Sequence, residues 1–579
     1  MTELQPGPTR SLTDHLLARG RRARALLPQA GDWTHARPGR DLTAGLMVGL
    51  VALPLALGFG VSSGMGATAG LVTAIVAGAV AAVFGGSRVQ VSGPTGAMTV
   101  VLVPIFAAYG ADGVLVVGLL AGLILIGLAL GGAGRIIRYV PVPVVEGFTV
   151  GIAGIIALQQ LPAALGVHVE AENVLSLAAE ALRAWVESPV WLPVGMAAGV
   201  TVAILAIARI RPALPGSLVA VVVATAASSG LGLHAETIAR IPAGLPSPHL
   251  PSVDLGALDA LLLPAVAVAA LAALESLLSA TVADGMSVGQ RHDSDRELFG
   301  QGLANLAAPL FGGIPATAAI ARTAVNVRAG ATSRLASLVH ALVLLVVVLV
   351  AARWVSEIPL AALAGVLVAT AIRMVRVSSL RALLRSTRGD AAVLVVTAAA
   401  TLLFDLVTAV LLGLVVAGFV ALRQTARTAR IDEVPLDDSD HTDEERSLLD
   451  EHIVAYRIDG PLFFAAAHDF LLELSEVADV RVVILRMSRV TTMDATGAHV
   501  LADTISRLEG RGVTVLLAGV QPIHTRVLRE LGVHGRLAYE RHVFDDTPTA
   551  IAHARLHAAR IAHAATSTST STDKEEDLP

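Results

Sequence analysis

Cysteine is absent from all 579 residues, which excludes disulfides, thiolate catalysis and cysteine-ligated zinc. Lysine is nearly absent as well. Lys574 stands alone, and arginine carries the rest of the basic charge, a composition bias rather than a mechanism. Charge of either sign is scarce: 15% of residues are charged and 54% hydrophobic, with a mean hydropathy of +0.70. A soluble globular class is excluded by those values, and a chain of membrane spans is expected. The net charge of -5 says little, because charge is segregated by loop. The histidines, apart from His340 inside an apolar run, are scattered in loops and in the C-terminal part without metal-ligand spacing. The residues therefore form no enzyme constellation. No metal, cofactor or nucleic-acid partner is expected.

What is present is a succession of apolar segments from Asp41 to about Leu422. Spans are expected near 42–60, 67–86, 95–108, 112–132, 141–162, 190–208, 216–234, 258–282, 298–312, 317–329, 334–352, 357–376, 390–404 and 405–422. Two of these about fourteen segments, after Pro94 and after Pro315, are too short to cross a core of roughly 30 Å. Residues 1–40 read as a cytoplasmic N-terminal arm. Arg21-Arg22 is not followed by an apolar stretch, since Pro28, Asp32 and Pro38 intervene, so a twin-arginine export signal is not expected.

The loops test this count. Loops after even-numbered spans carry Arg88, Arg135 with Arg138, Arg209 with Arg211, Arg291 with Arg296, the run Arg373 to Arg388, and Arg423, Arg427 and Arg430. Loops after odd-numbered spans hold little arginine beyond Arg183, Arg240 and Arg353, and one carries Glu170, Glu172, Glu180 and Glu187. The positive-inside rule then places both termini in the cytoplasm. An internal echo accompanies the count. Phe84-Gly85-Gly86 precedes Pro94 and a short helix, as Phe311-Gly312-Gly313 precedes Pro315 and another. Interrupted segments at corresponding points of two seven-span halves of opposite orientation predict an inverted repeat with a midplane site.

The charges inside the spans point to that site. Glu275 lies nine residues before Asp284, roughly 13 Å along a helix and near the membrane midplane. A carboxylate there either bonds neighbouring helices or serves as a coupling group that takes a proton or helps hold sodium, with Ser279 one turn on. Arg322 follows a run of small residues that includes Ala319, Ile320 and Ala321. The run reads as the mouth of a half-helix whose free N–H groups face an anion. The arginine either pairs with Glu275 or meets the anionic substrate. In the first half, Ser92, Thr95 and Thr99 supply hydroxyls near the opposing helix start, and Gly93 and Gly96 permit close backbone approach. Gln159 and Gln160 either face the site or bridge helices.

After an acidic linker, residues 426–450 with Asp437, Asp438, Asp440, Asp443, Glu444 and Glu445, the pattern changes to a soluble α/β domain over 451–563. Strands are expected at 453–458, 462–464, 480–487 and 513–518, and helices at 465–477, 498–509 and 522–531. Asp494 and Thr496 sit where a strand meets a helix, positions that suit capping; Thr496 is also a candidate regulatory phosphosite. Residues 564–579, Ser/Thr-rich and then acidic, read as a disordered tail.

Glu-Leu-Phe-Gly-Gln-Gly-Leu-Ala-Asn from Glu297, Gly-Phe-Thr-Val-Gly-Ile-Ala from Gly147 and the run from Phe311 to Gly330 resemble the sulfate permease (SulP) family. These are bacterial relatives of prestin and of the animal sulfate and chloride–bicarbonate exchangers. The resemblance runs from Asp41 to about His563, and the C-terminal domain looks like STAS. It implies a polytopic α-helical membrane protein with a 7+7 inverted repeat, a core domain moving against a gate domain within residues 41–425, and a homodimer. It also implies a substrate site at Arg322, Thr95 and Gly96 with Ala319, Ile320 and Ala321, and Glu275 at the acidic position of the eighth helix. Sodium-coupled bicarbonate members carry threonine where Ile320 stands and lack the arginine. Some proton-coupled members carry a carboxylate near Leu55, which this chain lacks. The run from Gly313 to Ser333, with Gly460 to Ala467, looks especially like the enterobacterial dicarboxylate-transporter branch.

The expected function is therefore secondary active transport of sulfate, bicarbonate or a C4-dicarboxylate across the cytoplasmic membrane, with a proton as coupling ion. The alternatives are a sodium-coupled bicarbonate transporter and an anion exchanger or channel, then a nucleobase carrier. A membrane-anchored signalling module needs far fewer spans than these. The expected partners are the anion, H+ or Na+, the lipid bilayer, a second copy and a cytoplasmic partner of the STAS domain.

Overall fold

The computed structural model describes residues 26–33, 36–135, 140–169, 171, 173–211, 214–252, 256, 258–287, 291–404, 406–426, 430–433, 452–462, 480–539 and 542–572. Arg138, Glu170, Glu172, most of the acidic linker and the helix expected over 465–477 lie outside these residues. The chain divides into two units, Met1–Val415 and Val416–Pro579.

In hydrocarbon every backbone polar group must find its partner within the protein, so apolar spans close their own hydrogen bonds as helices. The first unit consists of such helices: α1 (Pro38–Ser62), α2 (Gly66–Phe84), α3 (Gly96–Gly131), α4 (Val142–Gln159), α5 (Leu161–Leu165), α6 (Val174–Glu187), α7 (Trp191–Ile210) and α8 (Gly216–Gly230). The second half continues with α9 (Leu258–Met286), α10 (Ser294–Leu310), α11 (Ile320–Arg328), α12 (Arg334–Val355), α13 (Leu360–Met374), α14 (Val377–Ser386), α15 (Arg388–Leu403) and the start of α16 (Leu406–Ala426), a helix that runs through the division between the units. Each of the fourteen segments read from the sequence is helical here. Helix α3 contains two of them, joined across a kink at Gly110, whose φ of +66° suits glycine. Among the described residues nine helices are long and apolar enough to cross a membrane.

Two further helices occupy stretches read as loops. Asn173 caps α6: its side chain accepts from the Ser176 N–H at 2.8 Å, and Ser176 Oγ accepts from the Asn173 N–H at 3.3 Å. This reciprocal bond starts a helix that the acidic composition concealed. Helix α14 lies in the run of arginines counted above as loop charge. Both helices are amphipathic, which suits a membrane surface.

The helices pack in two sets. α10 lies along α2 and α3, α12 along α1 and α2, and α9 along α3; separately, α15 lies along α4 and α13 along α7. Within the first set two short strands, β1 (Ser92–Gly93) and β2 (Thr317–Ala318), pair antiparallel, Ser92 opposite Ala318 and Gly93 opposite Thr317. Part of the N-terminal arm is docked on this unit. Asp32 accepts from Arg296 Nη1 and Nη2 at 3.0 and 2.6 Å. The buried Asp41 side chain accepts from the Thr332 and Ser333 N–H groups at 2.6 and 3.1 Å, binding the start of the first half to the second.

The second unit is built on a sheet of order β3 (Arg430–Glu433), β4 (Ile453–Leu462), β5 (Val482–Arg486), β7 (Thr514–Ala518) and β8 (Val543–Phe544). β6 (Val490–Met493) pairs with β4. The pairings are parallel apart from β3 with β4. Among the described residues the unit also holds helices α17 (Ala495–Gly510), α18 (Pro522–Glu530) and α19 (Thr547–Thr572). Three expectations change. The two strands expected at 453–458 and 462–464 are one strand across the described residues. The linker begins as strand β3, because Arg430 to Glu433 pair with Asp459 to Tyr456. The tail read as disordered from residue 564 is helical as far as Thr572, since the alanine-rich turns before it carry α19 onward.

Candidate functional site

Each strand of the β1–β2 pair leads directly into a helix, β1 into α3 and β2 into α11. Because the strands are antiparallel, the two helix N-termini face one another across the pair. Both present partial positive charge and free N–H groups. Thr95 caps α3, accepting from Met98 N–H at 3.4 Å. No side chain caps α11, and its first residues, Ile320 and Ala321, are exposed. Ala319 is half-buried and Gly96 buried.

The site residues predicted from the sequence converge here. The Thr95 hydroxyl donates to Glu275 Oε2 at 2.8 Å, bringing α9 to the start of α3. Arg322 is only 2% exposed. Its Nη2 donates to the Pro94 carbonyl at 2.7 Å, while Nη1 has no hydrogen-bond partner among the described residues. Glu275 is near enough for its charge to be felt at Arg322, yet its hydrogen bond goes to Thr95 and the two form no ion pair. A buried guanidinium with one nitrogen uncommitted can donate to an anion. Gly93, at φ +151°, makes room for it: an added Cβ would lie 2.8 Å from Nη1.

Other candidates are placed less directly. Ser279 is fully buried and donates to Thr323 Oγ1 at 3.2 Å. Thr99 donates back to the Thr95 carbonyl at 2.9 Å, and Ser92 accepts from Gln301 Nε2 at 2.6 Å. Gln160 bridges helices, donating to Ser62 Oγ at 3.0 Å. In the other unit Asp494 caps α17, accepting from Gly497 N–H at 2.7 Å, and leaves Thr496 exposed on the first turn.

A polar frame, of which the sequence singled out the motif carrying Glu297, Gln301 and Asn305 and gave it no role, holds these groups. Ser276 shares a hydrogen bond with Thr317 at 3.0 Å and accepts from Ala318 N–H at 3.2 Å. The hydroxyl of Thr323 accepts from Val91 N–H at 3.1 Å. Glu297 accepts from the Gly86 and Ser87 N–H groups at 2.8 and 3.1 Å and from Gln301 at 2.9 Å. Asn305 both donates to and accepts from the Ala316 backbone. These side chains satisfy the extended backbone that a broken span exposes at membrane depth. For Ser276, Thr317 and Thr323 the one sequence signal was polarity within apolar segments.

The sequence profile of the Sulfate permease family matches residues 39–397, and that of the STAS domain residues 449–550. The chain is 36% identical to a putative sulfate transporter, YvdB, of Bacillus subtilis over 87% of this chain and 96% of that protein. It is 31% identical to the bicarbonate transporter BicA of Synechocystis over 89% and 94%. Among solved structures, the transmembrane domain of a cyanobacterial BicA aligns with TM-score 0.58 and 33% identity over 66% of this chain and 97% of that one. The murine Slc26a9 anion transporter aligns with TM-score 0.80 at 18% identity over 96% and 97%, a likeness of fold. Two facing half-helix starts inside a seven-plus-seven inverted repeat, followed by an α/β domain, are thus the architecture of a known group of multi-pass carriers: the chain belongs to the sulfate permease family of anion transporters and carries a C-terminal STAS domain.

Proposed function

We propose that this chain is a secondary active transporter that carries a small anion together with a proton. Sulfate, bicarbonate and C4-dicarboxylates are the candidate cargo. The observation that supports this most is the bond from Thr95 to Glu275 beside the uncommitted nitrogen of Arg322. The group that would take the proton thereby touches the helix end that would face the anion. The carrier would work in the cytoplasmic membrane as a homodimer with both termini in the cytoplasm, where the STAS domain and the exposed Thr496 are open to a cytoplasmic partner.

A second reading, sodium-coupled bicarbonate transport, is favoured by the 31% identity to a bicarbonate transporter. It requires a cation at Glu275 within the field of Arg322, and no threonine stands at Ile320 to help hold it. Uptake into proteoliposomes of sulfate, bicarbonate, succinate and chloride, each under an imposed proton or sodium gradient, separates the two. The expected result is saturable accumulation of at least one anion under an inward proton gradient, with counterflow. Uptake that needs sodium and ignores pH would establish the second reading, and large unitary currents would make the protein a channel.

A local prediction follows from Gly93. An alanine there needs an unfavourable φ and presses on Arg322 Nη1. Gly93→Ala should raise the substrate KM about tenfold or more, equivalent to about 1.4 kcal/mol, while the carrier still inserts. An unchanged KM in a well-folded variant would mean that Arg322 is not positioned by this contact.

A further inference from the structure

The C-terminal unit gathers three imidazoles that transport does not use. His542 is the residue before β8; its carbonyl accepts from Leu517 N–H at 2.8 Å and its N–H donates to the Tyr539 carbonyl at 3.1 Å. His553 and His557 lie on α19, four residues apart and hence one turn apart on one face. That helix is seated on the sheet by Ala550, Ala554 and Ala558, which pack with buried residues of β4, β5 and β7. The pair has the H-x3-H spacing of metal ligands, which the reading of the histidines as scattered passed over, and the fold delivers the third histidine.

One coordinating nitrogen from each of the three residues lies within 4.8 Å of the other two. His542 is 1% exposed, and its Nδ1 has no hydrogen-bond partner among the described residues. Ligands around zinc, at about 2.0–2.1 Å each, stand about 3.3 Å apart in a tetrahedron. The half-buried His553 and His557 need move only by rotation about their side-chain bonds. From this geometry we propose that His542, His553 and His557 bind a divalent transition metal of the zinc class.

An all-imidazole set suits zinc, copper or nickel rather than calcium or magnesium. Imidazoles ligate in their neutral form, so metal binding should weaken as the pH falls. Bound metal would clamp the last helix to the edge of the sheet and make the stability of the STAS domain depend on metal supply. Three protein ligands also leave a fourth position open. The competing account is ring packing alone, since His542 and His557 stand edge to face with centroids 5.0 Å apart.

The test uses the full-length protein in detergent, purified without a histidine tag and stripped with chelator. Titration with Co2+ should give about one tightly bound equivalent per chain with visible ligand-field bands, displaced by one equivalent of Zn2+. His553→Gln and His557→Gln should each weaken binding at least about tenfold, and the double variant should abolish it. Zn2+ should raise the melting temperature of the wild type and leave that of the double variant unchanged. A measurement that needs no variant completes the design: Zn2+ should protect His553 and His557 from diethylpyrocarbonate, read by mass spectrometry. Equal modification with and without Zn2+, or equal Co2+ binding by wild type and double variant, would leave ring packing as the whole account.

Discussion

Arg322→Ala is expected to abolish anion uptake in proteoliposomes while the protein still inserts, folds and purifies as a single species. The guanidinium is buried, one nitrogen holds the Pro94 carbonyl at 2.7 Å and the other is uncommitted. A substrate anion placed between the two helix starts would receive charge-assisted bonds worth about 1.5–3 kcal/mol each. Losing two of them costs a factor of about a hundred or more in kcat/KM. The structural cost is smaller. Alanine leaves the Pro94 carbonyl without its donor, about 1–3 kcal/mol, in a segment still braced by the β1–β2 pair and by Gln301 on Ser92. Arg322→Lys separates charge from geometry: an ammonium can hold Pro94 or the anion, but it lacks the planar fork that reaches both. It should recover only part of the flux. Wild-type affinity in the alanine variant would remove Arg322 from the substrate site.

The membrane architecture was legible because lipid imposes a single local solution. Apolar runs of the right length become helices, and Pro94 and Pro315 mark where two of them break. Arg322 and Glu275 were legible for the same reason, since charge at that depth is too costly to be incidental. Their bracing was not. Ser276 finds Thr317 41 positions on, and Gln301 finds Ser92 209 positions back. A serine in an apolar helix carries no mark of a partner so distant. Of the two alternatives the sequence left open for Arg322, direct pairing with Glu275 is not the arrangement found: one arginine nitrogen donates to a backbone carbonyl and the carboxylate accepts from a threonine. Local composition misled at two ends, where the acidic stretch before α7 hid the capped helix α6 and the Ser/Thr repeat after Ala565 hid the last turns of α19. His542 and the pair on α19 met only through the tertiary fold.

The arrangement at Glu275 leads to the second large effect. Glu275→Gln is expected to lose accumulation driven by a proton gradient and to keep exchange of substrate for substrate. Thr95 donates to Glu275 Oε2, and a glutamine carbonyl accepts the same bond, so the cap of α3 survives the change. What the change removes is the choice between charged and neutral forms. In the wild type an anion arriving at Arg322 meets a second negative charge while Glu275 is ionised. Two like charges about 6 Å apart repel by about 3 kcal/mol at an effective dielectric of about 20, roughly a hundredfold in affinity. Under the proposed coupling, proton binding at Glu275 would lift that penalty, and the proton and the anion would cross together. By reciprocity, the bound anion strengthens proton binding by the same factor. The glutamine variant is fixed in the neutral state: it binds anion at either face, releases it at either face and has no proton to follow. Its uptake should lose pH dependence and equilibrate without concentrating, while counterflow persists. If the variant still concentrates anion on an imposed pH gradient, the coupling proton rides elsewhere. His340, which is fully buried with both ring nitrogens lacking hydrogen-bond partners among the described residues, would then be the next group to replace.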